Sequence, residues 1–362
     1  MRRLLSLPLL CLAVGPAWGQ PATPPIRLAI FGLVHDHVGG FIPGLAGRAE
    51  VNLVGIVEPD QALAERYRRR FHLEARVFFP TLDALIAAKG RIDAVATFTS
   101  TYDHRRVVET CAPLGIDVMM EKPLAVSLAD AQAIAAAARK GGIQVFVNYE
   151  TTWYPSNRAA RELLGRHAIG DVRKIVVHDG HQGPAAIGCS PDFLKWLTDP
   201  VLNGGGALMD FGCYGADLST WLMDGQRPTS VFAVTQHFQP GVYPNVDDEA
   251  TIVVTYPGAQ AILQASWNWP YGRKDMEIYG EKGSILVPDR NSLRVRIGSG
   301  AETTLVAPEL QGPYADEVSY LAAVVRGTIR PEGLSSVDTN LIVNEILDAA
   351  RESARTGRRI DL

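Results

Sequence analysis

From residue 26 onward, short apolar runs alternate with amphipathic stretches, and the rhythm changes near residue 149. Ile26 to Phe31, Val51 to Val57, Val77 to Phe79, Ile92 to Phe98, Ile116 to Met120 and Ile143 to Val147 read as strands. Most run apolar throughout, so both faces of their sheet are expected to be covered. Helical spacing fills the gaps: a stretch running to Ala46, then Gln61 to Phe71, Leu82 to Lys89, and His104 to Leu114. Ser127-Leu-Ala-Asp130 has a capping-box pattern, and the Ala-rich helix it opens runs to Lys140, where Gly141-Gly142 stops it. Strands and helices in strict alternation with short connections predict an α/β doubly wound parallel sheet.

Beyond Asn148 to Pro155 the pattern differs. After a helix over Ser156 to Leu164, strands dominate: Val172 to His178, Thr229 to Gln236, Ala250 to Tyr256, Ala259 to Trp267, Asp275 to Tyr279 and Ser284 to Val287. Many alternate in polarity, as sheets covered on one face do. Helical spacing returns at Tyr314 to Arg326 and Thr339 to Thr356. The expected organisation is a first domain over 20–148, a β-sheet domain over 149–312 and terminal helices over 313–362. There is no internal repeat, and Pro21 to Pro25 is a short lead-in.

Residues 1–19 stand apart. Arg2 and Arg3, the apolar run Leu4 to Val14 and the small-x-small site Ala17-Trp18-Gly19 read as a cleavable secretory leader, too short for a membrane anchor. The paired arginines hint at twin-arginine export, whereas the Leu-rich core favours the general route. A periplasmic or secreted protein is the expectation. Without the leader the chain has 33 basic and 39 acidic residues, a net of −6. Such mild acidity offers no footprint for nucleic acid or an anionic membrane. Cys111, Cys189 and Cys213 remain, odd in number and far apart, which argues against a disulfide framework.

Candidate chemistry concentrates at Asp117-Val-Met-Met-Glu-Lys-Pro-Leu-Ala125. Here an apolar strand ends in Glu121 and Lys122, and Pro123 has no N–H to continue the ladder. Open α/β sheets bind ligands at the carboxyl ends of their strands, which is where Lys122 falls. Gly32 opens the first strand-to-helix turn, the place where backbone amides receive a pyrophosphate. Val34 and His37 occupy the positions of the second and third glycines of that fingerprint. Glu58, twenty-one residues after His37, is placed to accept ribose hydroxyls and would repel a 2′-phosphate, so NAD is expected over NADP. His35, Asp36 and His37 are candidates for the nicotinamide side.

Three segments in order resemble the Gfo/Idh/MocA family of sugar and polyol oxidoreductases. They are Thr99-Ser-Thr-Tyr-Asp-His104, Glu121-Lys122-Pro123 and Gly204-Gly-Gly-Ala-Leu-Met-Asp210-Phe-Gly-Cys-Tyr214. The resemblance implies an N-terminal Rossmann domain and a C-terminal mostly antiparallel sheet whose open face makes a homo-oligomer contact. It adds Thr99, Ser100, His104, Glu121, Lys122 and Asn148 to the cofactor contacts. Lys122 is then expected to bond the reacting hydroxyl and Tyr214 to serve as acid/base, with Asp210 beside them. An arginine that related chains often carry near Thr152 is missing.

Hydride transfer from an alcohol needs a group to take the hydroxyl proton. Tyr214 is inefficient at a free pKa of about 10, but a neighbouring ammonium would lower it. If the segment is helical, Asp210 and Tyr214 project from one face. Tyr149, Trp153, His178 and His181 are further candidates for substrate contacts, and Trp196, Trp267 and Trp269 could stack on a sugar. His178, Asp179 and His181 offer imidazole and carboxylate, yet their spacing matches no ligand motif, so no metal is expected. Export away from any NAD pool favours a cofactor that is held and regenerated within the cycle. Oxidation of one sugar coupled to reduction of another satisfies this, as in the glucose–fructose oxidoreductase branch. Transient oxidation of a glycoside with net hydrolysis satisfies it too. A carbohydrate-binding protein with a degenerate nucleotide site is the third class.

Overall fold

The computed structural model describes residues 23–362, so the expected leader over 1–19 lies outside the described residues. The first sheet has strands β1 (Ile26–Phe31), β2 (Val51–Val57), β3 (Phe78–Phe79), β4 (Ala94–Thr97), β5 (Asp117–Glu121) and β6 (Val145–Asn148). All pair in parallel, in the order β3-β2-β1-β4-β5-β6. Helices α1 (Val38–Gly44), α2 (Gln61–Arg70), α3 (Leu82–Lys89), α4 (His104–Cys111) and α5 (Leu128–Gly141) connect them. Every residue of β4 is buried, which is why its sequence carries no alternation. The cap of α5 is as expected: Ser127 accepts from Asp130 N, and Gly142 closes the helix in the left-handed region at φ +67°. Strand order reverses between β1 and β4, so the ligand crevice opens above their carboxyl ends.

The second half contributes α6 (Pro155–Gly165), β7 (Val172–Gly180), α7 (Pro191–Leu197), α8 (Ala207–Asp210), α9 (Gly212–Leu222), β8 (Ser230–Gln236), β9 (Glu249–Thr255), β10 (Gln260–Ser266) and β11 (Arg273–Gly280). It ends with β12 (Gly283–Val287), β13 (Ser292–Ile297), β14 (Thr303–Val306), α10 (Glu317–Val325), α11 (Val337–Thr356) and β15 (Ile360–Asp361). Nine strands form one sheet, β14-β13-β12-β11-β7-β10-β9-β8-β15, antiparallel except where β7 meets β10. Strict alternation of burial along β9 shows that helices cover one face only. β13 and β14 escape a reading of the sequence because β13 buries only Leu293 and Val295 and β14 buries nothing.

α11 ties the two sheets together. Asn344 Nδ2 donates to Ala125 O at 2.7 Å and Leu128 N donates to Asp348 at 2.8 Å on the nucleotide side. Its Ser353 hydroxyl accepts from Ala233 N on β8. α10 packs against the first sheet, sharing a core with Met119 and Phe146. These contacts set the carboxyl end of β5 against α8 and α9.

Candidate active site

β5 delivers Glu121 and Lys122 into that junction, and the Lys122–Pro123 peptide is cis. Lys122 is 7% exposed. Its ammonium pairs with the Asp210 carboxylate and donates to Asp210 O at 3.0 Å. Trp267 Nε1 donates to the other Asp210 oxygen at 2.9 Å. Burial works against the charge on both members, but each offsets that penalty for the other. Lys122 is held above the ordinary lysine pKa, and Asp210 below the ordinary aspartate pKa.

The motif segment breaks where a continuous helix was conditional. α8 ends at Asp210 and α9 begins at Gly212, with Phe211 between them still in the right-handed helical region at φ −108° and ψ −29°. Asp210 therefore turns to Lys122, while the Tyr214 hydroxyl meets Lys274 Nζ at 3.5 Å. Lys122 approaches the ring face of Tyr214, 5.2 Å from its centroid. Tyr214 is 1% exposed, and burial pushes its phenol well above the ordinary value. This corrects the expectation of a lowered pKa, because desolvation outweighs the nearby ammonium ions.

Lys122, Asp210, Phe211 and Tyr214 open onto a cavity of about 470 Å³ that also receives Asp36, His37, His181, Glu150, Tyr154 and Lys274. Burial lowers the His181 pKa, so its imidazole is neutral at pH 7, and its Nδ1 accepts from Gly183 N. A second cavity of about 390 Å³ lies at the ends of β1, β2 and β4, lined by Gly32, Val34, Glu58, Leu82, Thr99 and Arg106. A third, also about 390 Å³, touches His37, Glu121, Asn148 and Trp153.

NAD fits these walls at both ends. Glu58 lies at the floor of the second cavity, its oxygens already receiving Leu33 N and Asp60 N at 2.9 and 2.8 Å, with lone pairs left for a ribose diol. Gly32 sits at φ +85°, and a Cβ there would come within 2.7 Å of Thr99 Cγ2. Glu121 Oε1 is buried without a hydrogen-bond partner, which suits a ligand hydroxyl. The middle of the turn departs from the glycine pattern: His35 packs under Phe193 and Trp196 of α7, and Trp196 Nε1 donates to Val34 O. His37 Nδ1 lies 3.0 Å from Glu121 Oε2, and His35, His37 and Glu121 form the metal-capable group found among the described residues. Glu58→Ala is expected to weaken NAD binding about tenfold, read by nucleotide fluorescence titration, because a charged acceptor is lost.

Other candidates fall elsewhere. His104 is buried, its Nδ1 3.2 Å from the carbonyls of Pro123 and Leu124, so it braces the turn. Ser100 Oγ donates to Asp103, and Asn148 Oδ1 accepts from Trp153 Nε1. Tyr149 is fully buried and donates to Asn340, and Trp153 packs on Tyr320, so neither reaches the central cavity. His178 pairs with Asp275 and does not line that cavity. Trp196 and Trp267 are core residues, while Trp269 remains partly exposed beside Arg273. Sequence reading missed Lys274 and Glu150. The available signal was parity: Lys274 shares its strand face with buried Met276 and Ile278.

A doubly wound nucleotide domain whose β5 lysine faces a second, sheet-bearing domain defines a two-domain nicotinamide-type oxidoreductase. Residues 27–149 match the family described as "Oxidoreductase family, NAD-binding Rossmann fold", and residues 157–286 match the GFO/IDH/MocA C-terminal domain. The chain belongs to the GFO/IDH/MocA oxidoreductase family. It is 31% identical over 259 residues to trans-1,2-dihydrobenzene-1,2-diol dehydrogenase of Xenopus laevis, covering 69% of this chain and 74% of the relative. It is 26% identical over 332 residues to inositol 2-dehydrogenase of Rhizobium meliloti (strain 1021), covering 88% and 94%. An inositol dehydrogenase homolog of Azotobacter vinelandii complexed with NAD+ superposes with a TM-score of 0.80 at 20% identity, covering 94% of this chain and 98% of that one. Aldose-aldose oxidoreductase of Caulobacter crescentus complexed with glycerol gives 0.79 at 24% identity, covering 93% and 100%. The last two speak for the fold.

Proposed function

We propose that this protein oxidises the CH–OH group of a sugar or sugar derivative, using a tightly held NAD outside the cytoplasm. The observation that carries this reading is the buried, ion-paired Lys122 opening, with Tyr214 and His181, onto one cavity at the mouth of the NAD-binding sheet. Bound NAD supplies the hydride acceptor. Lys122 donates to the substrate hydroxyl oxygen, Asp210 keeps that ammonium charged and aimed, and Tyr214 exchanges the hydroxyl proton. The cavity mixes donors and acceptors with an apolar wall of Phe193, Leu197 and Phe211, a lining that suits a polyhydroxylated ring. The names of the two relatives, a cyclic diol dehydrogenase and an inositol dehydrogenase, support the same class. Glu58 supports NAD over NADP, and the Leu4 to Val14 run with Ala17-Trp18-Gly19 supports export.

Denaturing the purified protein is expected to release nicotinamide nucleotide, identified by mass and absorbance. Adding aldoses or inositols to the holoprotein should then generate the near-ultraviolet band of reduced nicotinamide. A nucleotide-loaded protein that reduces its cofactor with none of these compounds would remove the sugar reading. The open face of the nine-stranded sheet exposes Phe232, Val234 and Tyr279, and we assign it to a homo-oligomer contact that sedimentation would reveal.

A further inference from the structure

The cavity wall facing Lys122 carries a second cation that no motif announces. Lys274 enters from the start of β11 on the covered face of the sheet. Its Nζ lies 3.5 Å from Tyr214 Oη and 4.5 Å from the ring centroid. The same ammonium pairs with Glu150, whose other oxygen accepts the Tyr154 hydroxyl at 2.6 Å. Glu150 is half exposed, so Tyr214, Lys274 and Glu150 form a chain of contacts from a buried phenol to solvent. Lys122 gives two of its three N–H donors to Asp210 and meets only the ring of Tyr214. Among the described residues, Lys274 is the hydrogen-bonding partner found at the Tyr214 hydroxyl.

We propose that Lys274 is the positioning residue that makes the Tyr214 hydroxyl usable as acid/base, a role that rests on the oxidoreductase reading above. NAD, when bound, would take the carbinol C–H electron pair as hydride, while the substrate O–H bond breaks and C=O forms. The proton forms a new O–H bond on the Tyr214 phenolate and is released past Lys274 and Glu150 to water. A phenol is a poor base at neutral pH unless something favours its ionised form, and an ammonium at hydrogen-bond range does so. The surroundings otherwise oppose ionisation. Besides Lys274 and Lys122, the groups facing this pair are Glu121, Glu150, Asp179, Asp210, Cys213, Tyr149 and His181. Burial and the acids among these push the phenol up, and Lys274 is the cation set against them at the oxygen itself.

The test uses holoprotein carrying Lys274→Met or Lys274→Arg. Tyrosinate difference absorption, each variant against its own Tyr214→Phe partner, reads the ionisation of Tyr214 without substrate. Lys274→Met is expected to move that ionisation up by about one pH unit or more and to lower kcat about 100-fold, with KM changed less than about threefold. Lys274→Arg keeps the charge and should recover the ionisation and most of kcat. An ionisation that Lys274→Met leaves in place, in an enzyme whose wild type dehydrogenates sugars, overturns the proposal and spares the oxidoreductase reading. A wild type that dehydrogenates nothing overturns that reading instead. Should Lys274→Met fail to fold, Lys274→Gln, which also removes the charge but keeps a polar side chain, is expected to shift ionisation in the same direction. No shift there overturns the proposal as well.

Discussion

Lys122→Ala is expected to lower kcat by about a thousandfold and to weaken the fold in the same step. The catalytic loss follows from removing the ammonium that meets the reacting hydroxyl. The stability loss follows from what stays behind, a buried Asp210 carboxylate whose remaining side-chain hydrogen bond among the described residues is that from Trp267 Nε1. Breaking a buried pair from one side costs about 3–5 kcal/mol, because the remaining charge cannot return to water. The pH dependence should change sign. In the native pair the Asp210 pKa is depressed, so its contribution is present above the unfolded aspartate value and lost as pH falls through the folded one. Without Lys122, burial alone raises the Asp210 pKa, so stability falls as pH rises above the unfolded value. Urea unfolding between about pH 2 and pH 5 reads the native slope and between about pH 5 and pH 8 the variant's, and adding Asp210→Asn should recover stability without recovering turnover. Turnover within tenfold of wild type would end the assignment of Lys122.

Gly206→Ala carries the second large effect, this time through the backbone. A Cβ at Gly206 would lie 1.8 Å from Asp247 O and 2.8 Å from its carbonyl carbon, and neither atom can swing aside as a flexible side chain can. The Asp247 strap holds the start of α8: its carboxylate accepts from Gly206 N and Leu208 N, and its carbonyl accepts from Ala207 N. Displacing it unseats the short helix that presents Asp210. A cost of about 3 kcal/mol or more is expected, at the upper end of overpacking penalties, together with loss of activity. Gly205→Ala is the comparison expected to cost less, since the nearest atom to its Cβ would be Met209 Cγ at 2.9 Å, a side-chain carbon, where Gly206 meets a backbone oxygen at 1.8 Å. Thermal unfolding compares the two, and equal melting temperatures would remove this account of the glycine triplet.

Local pattern carried the nucleotide domain a long way. β1, β2 and α3 begin and end where apolar runs and turn residues place them, because a buried parallel strand must be continuously apolar and α3 starts at a Thr81 cap. The same signals fail over residues 180–225. α7 is announced only by Ser190 and Pro191, an N-cap followed by a first-turn proline. α8 is a four-residue helix set by the Asp247 strap, forty residues away in sequence. β15 pairs two residues with β8 and carries no pattern at all.

The sequence by itself determined the two-domain order, the lysine at the end of β5 and the acid at the end of β2, since strand ends and charge positions follow from periodicity. Tertiary structure alone decided which groups meet. It turned Asp210 to Lys122 and Trp267, enclosed Tyr149 and Trp153 away from the central cavity, and set Lys274 against the Tyr214 hydroxyl. It also decided the direction of the Tyr214 pKa, because burial, unlike charge, cannot be counted along a chain.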